Sequence, residues 1–284
     1  VAMLLVSGES AVPLLDHFLL TLTQQLVGTV TRHRVLVLTR GMGWTTGNGA
    51  ASDASHGSAL GLSRVLRLEH ATMYVQNADV SRGVAVAAWR AVSTVMEAES
   101  VWRDAGPCVP RLRQCTATVM PNVSFACGVH AITGGLGGLG LRAAKDLGAR
   151  GASRVLLASR SGRMSRAAQG SSADLLDIAA ATFVPCDADA AVDVSTLVSG
   201  TLPLGILHAA GVGYAGLLAE LEARRLHWMH TPKAMGAHCV HVATVGQLIE
   251  RQVLFSSVAS GLANVGQGSY AAGNACLDAQ ALSR

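Results

Sequence analysis

The chain has 284 residues, half of them hydrophobic, which is room for one large domain or two of ordinary size and ample apolar side chain for a core. Its formal net charge of +4 rests almost wholly on scattered arginines, because Lys145 and Lys233 are the only lysines, and no basic stripe marks a nucleic-acid binder. Aromatic residues make up 4% against 31 glycines, which suits thin helices packed on a parallel sheet better than a sandwich with an aromatic core and favours α/β.

The first half, from Val1 to about Cys115, alternates short apolar runs with helical stretches. Met3–Ser7 and Arg34–Thr39 read as strands, and Leu14–Val27 and Ser58–Leu68 as helices, an α/β pattern. The apolar stretch from Ala11 to Val30 is broken by Asp16, His17, Gln24 and Gln25, so no membrane span is expected there. A basic n-region, apolar core and cleavage pattern are absent at the start, and the expected location is the cytoplasm, with an organelle left open. The first strand leads into Ser7-Gly8-Glu9-Ser10, which lacks the spaced glycines a pyrophosphate needs. Gly41 to Gly49 is rich in Gly, Thr and Asn, but it has no Gly-Lys-Ser/Thr and no immediate helix, so it is not read as a phosphate cradle.

From Gly128 the pattern sharpens. A strand at Val129–Thr133 runs into Gly134-Gly135-Leu136-Gly137-Gly138-Leu139-Gly140 and then a helix to about Ala149. Arg154–Ala158 is the next strand, and Thr182–Pro185, Gly205–His208 and Gln252–Ser256 follow, separated by helical stretches. Strand and helix in that rhythm imply right-handed crossovers and a doubly wound parallel sheet. The six cysteines form no CxxC pair and no metal-type spacing; they read as reduced, mostly buried small residues, and no metal is expected.

Two constellations carry chemistry. In the first, Gly134 permits the tight turn, Gly137 lets backbone approach a pyrophosphate, and Gly140 lets the helix lie close to the strand, with phosphates at the helix N-terminus. The second strand of this half ends at Ser159-Arg160 where an NAD site usually has an acid. An arginine there suits a 2′-phosphate and favours NADPH; a solvated surface arginine is the alternative. In the second constellation, Ser257 follows an apolar strand, and Tyr270 and Asn274 are four apart at a helix start and share a face. A tyrosine of ordinary pKa, about 10, is a poor acid at neutral pH, but a neighbouring ammonium would lower it, and Lys233 is the candidate. Taken singly, each of the four also fits an ordinary structural role.

These motifs, together with His208-Ala209-Ala210-Gly211-Val212, Pro232 to Ala237, Phe255 to Ala259 and Gly266 to Asn274, resemble those of the ketoreductase domains of modular type I polyketide synthases. These are members of the short-chain dehydrogenase/reductase superfamily. Ordinary members of that superfamily place the lysine four residues after the tyrosine; here Asn274 holds that position and the lysine lies upstream, as in the polyketide and fatty-acid synthase branch. The segments Gly57 to His70, Trp102 to Asp104 and Pro110 to Leu112 resemble the degenerate Rossmann-like structural subdomain that precedes the catalytic one. The resemblance implies a structural subdomain over 1–124 and a Rossmann-like, NADPH-binding catalytic subdomain over 125–284. The latter is expected to be incomplete at its C-terminus, and the chain, beginning at Val1, a piece of a longer protein.

By the resemblance, Tyr270 protonates the β-carbonyl oxygen, Ser257 hydrogen-bonds it, Lys233 holds the nicotinamide ribose and Asn274 orders a relay water. Thr133, Gly134, Gly137, Leu139, Gly140, Ser159, Arg160, Ala209, Ala210 and Gly211 surround NADPH. Asp187 matches the residue that contacts adenine, a helix N-cap being the other reading. His208 reads as a packed strand-end histidine. The implied reaction converts a β-ketoacyl thioester, carried on the phosphopantetheine of an acyl carrier protein, to a β-hydroxyacyl thioester beside other synthase domains. A fatty-acid-type β-ketoacyl reductase and a non-catalytic reductase-like scaffold are the alternatives. Gly213-Tyr214-Ala215 stands where one stereochemical type has Leu-Asp-Asp, and the tryptophan of the other type is absent near Leu262, so the alcohol configuration stays open.

Overall fold

The computed structural model describes residues 2–4, 12–29, 33–39, 55–80, 97–103, 106–114, 128–163, 181–201, 203 and 205–282. Gly41 to Gly49, Ser7 to Ser10, Cys115 and Cys127 lie outside them. Two compact units emerge, one formed by residues 1–114, 213–230 and 256–284, the other by 115–212 and 231–255. The first unit thus draws two segments from the part of the chain after residue 124.

In the first unit the strands β1 (Ala2–Leu4), β2 (Arg34–Thr39), β3 (Tyr74–Val80), β4 (Glu99–Arg103) and β5 (Gly106–Cys108) stand in sequence order. The first four are parallel and β5 runs antiparallel to β4. Helices α1 (Val12–Val27) and α2 (Ser55–Glu69) belong to this unit. Leu19, Val35, Val37, Leu62 and Val65 form its core with Leu218, Leu226, Ala271 and Ala272 from far along the chain. Burying each of the larger side chains stabilises the unit by about 1.5–3 kcal/mol. Glu99 receives Arg64 through both carboxylate oxygens, at 2.8 and 2.6 Å, and Arg67 as well. Burial alone would raise the Glu99 carboxyl, but the two guanidiniums outweigh it and hold it below the usual carboxylate range.

The second unit contains β6 (Val129–Thr133), α3 (Gly138–Ala149), β7 (Arg154–Ser159), β8 (Ala181–Pro185), α4 (Ala191–Thr201) and β9 (Gly205–His208). A π-helical turn (Thr231–Met235) leads into a further helix (Gly236–Thr244), and β10 (Arg251–Leu254) completes the sheet in the order β10-β9-β6-β7-β8, all parallel. Alternate residues of each central strand feed opposite faces. Ala131, Leu156, Ala158 and Ile206 join one cluster and Ile132, Val155, Leu157 and Leu207 the other. A sheet covered on both faces accounts for apolar runs without polar alternation. Among the described residues, no helix is long and apolar enough to cross a membrane.

Candidate active site

At the end of β6 the chain turns through Gly134 at φ +66, a conformation that a side chain disfavours. A Cβ there would also stand 2.6 Å from the backbone of Ala210, and one at Gly140 would stand 2.6 Å from Gly135 Cα. Helix α3 then starts behind Gly137, which offers no side-chain cap, so the first N–H groups of α3 point to the turn unsatisfied by a capping side chain. That end attracts anions.

The turn opens onto a cleft of about 740 Å³ lined by Gly134, Gly137, Ser159, Arg160, Ala209 and Gly211, all expected from the sequence. Leu136, Ser161 and Arg163 line it too and are not in the expected set. Arg163 was within reach of the sequence, standing one residue past the Ser159–Gly162 turn. Among the described residues, the cleft lining carries two arginines and no carboxylate.

Other expected cofactor residues sit elsewhere. Thr133 is buried, its hydroxyl 2.7 Å from His208 Nδ1; Gly140 and Ala210 are buried, and Leu139 is exposed on α3. Asp187 lies beside Asp189 and Arg160: burial and the Asp189 carboxyl push its carboxyl up, against the pull of Arg160. Asp187 does not cap α4, which begins at Ala191; instead its backbone N–H donates to Asp193 Oδ2 at 2.9 Å, so the N-cap reading is corrected.

Lys233 occupies the middle of the π-helical turn and is buried. Its ammonium donates to the carbonyl oxygen of Phe255 at 3.2 Å, and its stem lies over Gly211, where a Cβ would stand 3.0 Å from Cε. Its own carbonyl oxygen lies 2.9 Å from His208 Nε2.

Ser257, Tyr270 and Asn274 belong to the first unit, Lys233 to the second. The Ser257 hydroxyl accepts the N–H of Ala259 at 3.2 Å, at the head of the short helix α5 (Ala259–Leu262). A hydroxyl that accepts there keeps its proton to donate. Tyr270 is half-buried in the first turn of α6 (Gly268–Leu282). One turn on, fully buried Asn274 donates from Nδ2 to the Tyr270 carbonyl at 2.8 Å, and the Ser256 hydroxyl donates to the Asn274 carbonyl at 3.2 Å. The last residues of the strand region and the tyrosine turn are thus joined within one unit.

Residues 128–284 match the family described as KR domain. Over 258 residues the chain is 33% identical to the polyketide synthase GfsA of Streptomyces halstedii, an alignment covering 86% of this chain and 3% of that protein. A solved A-type ketoreductase from a modular polyketide synthase superposes with a TM-score of 0.84 at 29% identity, over 95% of this chain and 60% of the other. The first ketoreductase of the tylosin polyketide synthase gives a TM-score of 0.84 at 27% identity, over 99% and 63%. The chain therefore spans a small fraction of the curated relatives it matches and under two thirds of these solved chains.

Proposed function

We propose, because this chain belongs to the KR domain family, that it reduces a carrier-bound β-ketoacyl thioester to the β-hydroxyacyl thioester with NADPH. One observation carries the cofactor reading: a glycine turn at an uncapped helix N-terminus opens onto a cleft whose charged lining is Arg160 and Arg163. NADPH fits these residues. Gly134 leaves backbone, not side chain, facing the turn, the helix N–H groups suit a pyrophosphate, and a guanidinium suits a 2′-phosphate.

When bound, NADPH supplies the hydride. Of this chain's own residues, Tyr270 gives its phenolic proton to the β-carbonyl oxygen, and Ser257 donates a hydrogen bond to that oxygen as negative charge develops on it. Lys233 offers its ammonium to the ribose, and Asn274 orders a relay water. The substrate arrives on the phosphopantetheine of an acyl carrier protein, with further synthase domains as partners.

A fatty-acid-type substrate and a non-catalytic scaffold are the competing readings. The presence of Lys233, Ser257, Tyr270 and Asn274 together favours catalysis, since a purely structural domain has no physical need of all four. Nicotinamide fluorescence titration followed by turnover of a β-ketoacyl thioester surrogate tests the proposal. Tight NADPH binding with reduction to the β-hydroxy product is expected; binding without reduction, or no binding, overturns it.

A further inference from the structure

Helix α2 ends at Glu69, whose two carboxylate oxygens are used separately. Oε2 accepts the N–H of Leu218 at 2.7 Å, and Oε1 accepts the N–H of Gly266 at 2.9 Å. These amides lie 48 residues apart in sequence, on two different loops. Gly266 is in the stretch between Ser257 and Tyr270, two residues before the tyrosine helix begins. Leu218 is in the stretch that follows His208–Val212, where this sequence has Gly213-Tyr214-Ala215.

The same two loops meet directly. Gly216 donates to the Gly266 carbonyl at 2.8 Å and pairs with Gln267 in a parallel bridge. Leu218 is 2% exposed and fills the space over Gly268, where any Cβ would overlap its side chain. The stretch before Tyr270 needs such holding. Ala263 sits at φ +60, in the left-handed region that an alanine disfavours, and Gly266 at φ +74. Upstream of Ala263, Arg64 of the same helix α2 donates to the Ser260 carbonyl at 2.5 Å. Arg64 and Glu69 therefore grip the loop on either side of its strained residue, and a carboxylate accepting two backbone N–H groups makes the stronger, charge-assisted kind of bond.

We infer that Glu69 is a positioning residue for the reaction: it fixes the entry to the Tyr270 helix and registers it against the 213–221 loop. The inference rests on the reductase reading above. Tyr270 and Ser257 bear on the same carbonyl oxygen in that reading, so the loop joining them sets their relative placement. The 213–221 loop, tied to it through Gly216 and Glu69, is held in the same register, so a shift at Glu69 moves both. Glu69 never touches substrate; it acts through backbone.

The test is Glu69→Gln, which keeps shape but turns an amide N–H₂ toward one of the two backbone donors. kcat for a β-ketoacyl surrogate is expected to fall about 10- to 100-fold, the scale of a misplacement near 1 Å. The ratio of the two alcohol configurations should shift, while NADPH affinity stays within about twofold and melting is little changed. Independently of activity, hydrogen exchange should find the Leu218 and Gly266 amides protected in the unaltered protein and about 10-fold faster in Glu69→Gln. Unprotected amides in the unaltered protein, or a variant with unchanged kcat and product ratio, would overturn the inference. A parent protein that binds NADPH but reduces no surrogate would instead sink the reductase reading and the positioning role with it, leaving the exchange result to stand as structure alone.

Discussion

His208 Nε2 lies 2.9 Å from the carbonyl oxygen of Lys233. A carbonyl only accepts, so Nε2 carries the proton; Nδ1 is then the acceptor in a neutral ring, and the Thr133 hydroxyl donates a hydrogen bond to it at 2.7 Å. The buried ring thus links the end of the glycine strand to the turn bearing Lys233, and the position read as simple strand-end packing also carries a hydrogen-bonded link.

Burial pushes the His208 pKa down from 6.5 to about 4, with the nearby Lys233 charge acting the same way against the carbonyl bonds. The folded-state value lies below the unfolded one, so the unfolded chain binds the extra proton between them. Stability from this group is full above about pH 6.5 and is lost as pH falls toward 4, at up to about 1.4 kcal/mol per pH unit. His208→Phe should remove this acid-side slope, cost about 1–3 kcal/mol at pH 7 through the lost bonds, and slow turnover by loosening Lys233. Urea unfolding at pH 7 and pH 5 measures the first two; an unchanged slope would show that His208 does not supply it.

The cofactor cleft predicts a selective effect of its arginines. Arg160→Ala should weaken NADPH binding by about 1.5–3 kcal/mol, the range for a hydrogen bond to a charged group, and leave NADH nearly unaffected. Arg163, on the same lining, should add to it, so that the double variant loses more than either single one. Titration of both dinucleotides decides: an equal loss for NADPH and NADH would mean that Arg160 supports the turn and not the phosphate.

Much of the second unit is legible in its sequence because local and tertiary signals agree there. The strands Val129–Thr133 and Gly205–His208 have the bounds their apolar runs suggest, since a buried parallel strand needs apolar residues on both faces. The glycines at 134 and 140 declare the turn, Gly134 by its positive φ and both by backbone 2.6 Å from where a Cβ would stand, whereas Gly137 keeps an ordinary extended backbone. What stays hidden is long-range. No periodicity shows that Glu69 reaches Gly266, 197 residues on, or that Leu218 and Ala271 complete the core of the first unit. The π-helical turn at Lys233 is only half legible: Pro232 has no N–H for an α-helical bond and so marks an interruption within Thr231 to Met235, but nothing in those residues specifies the wider turn that follows. Asp187 misleads for a related reason: an aspartate near a helix start resembles an N-cap, but here Asp193, inside the helix, reaches back to the Asp187 amide.

Tyr270→Phe separates chemistry from binding. Removing the phenolic proton should cut ketone reduction by about 10²-fold or more and leave NADPH affinity close to that of the parent, because the ring and the helix turn remain. Asn274 still engages the Tyr270 carbonyl in the variant, so the fold should not change. Single-turnover reduction with saturating NADPH is the measurement, and substantial residual turnover would remove Tyr270 from the proton-donor role.

The last prediction concerns how the tyrosine helix is seated. Helix α2 carries Gly61 where a Cβ would stand 2.5 Å from the Ala271 carbonyl oxygen and 2.7 Å from the Ala272 nitrogen. Those atoms are backbone of α6, in the turn holding Tyr270, and cannot swing aside as a flexible side chain would. Gly61→Ala must therefore push the two helices apart, at about 1–3 kcal/mol for overpacking. Against that, alanine gains about 1 kcal/mol over glycine from helix propensity. Gly200, inside α4, meets nothing within 4 Å, so Gly200→Ala should show the propensity gain alone. The expected pattern is Gly200→Ala neutral or slightly stabilised and Gly61→Ala lowered in Tm, and Gly61→Val lowered further. Because the displaced backbone directly follows Tyr270, kcat in the Gly61 variants should fall while NADPH affinity holds. Calorimetry with steady-state kinetics tests both halves, and a Gly61→Ala protein as stable and active as the parent would show that the two helices need not lie in contact through glycine.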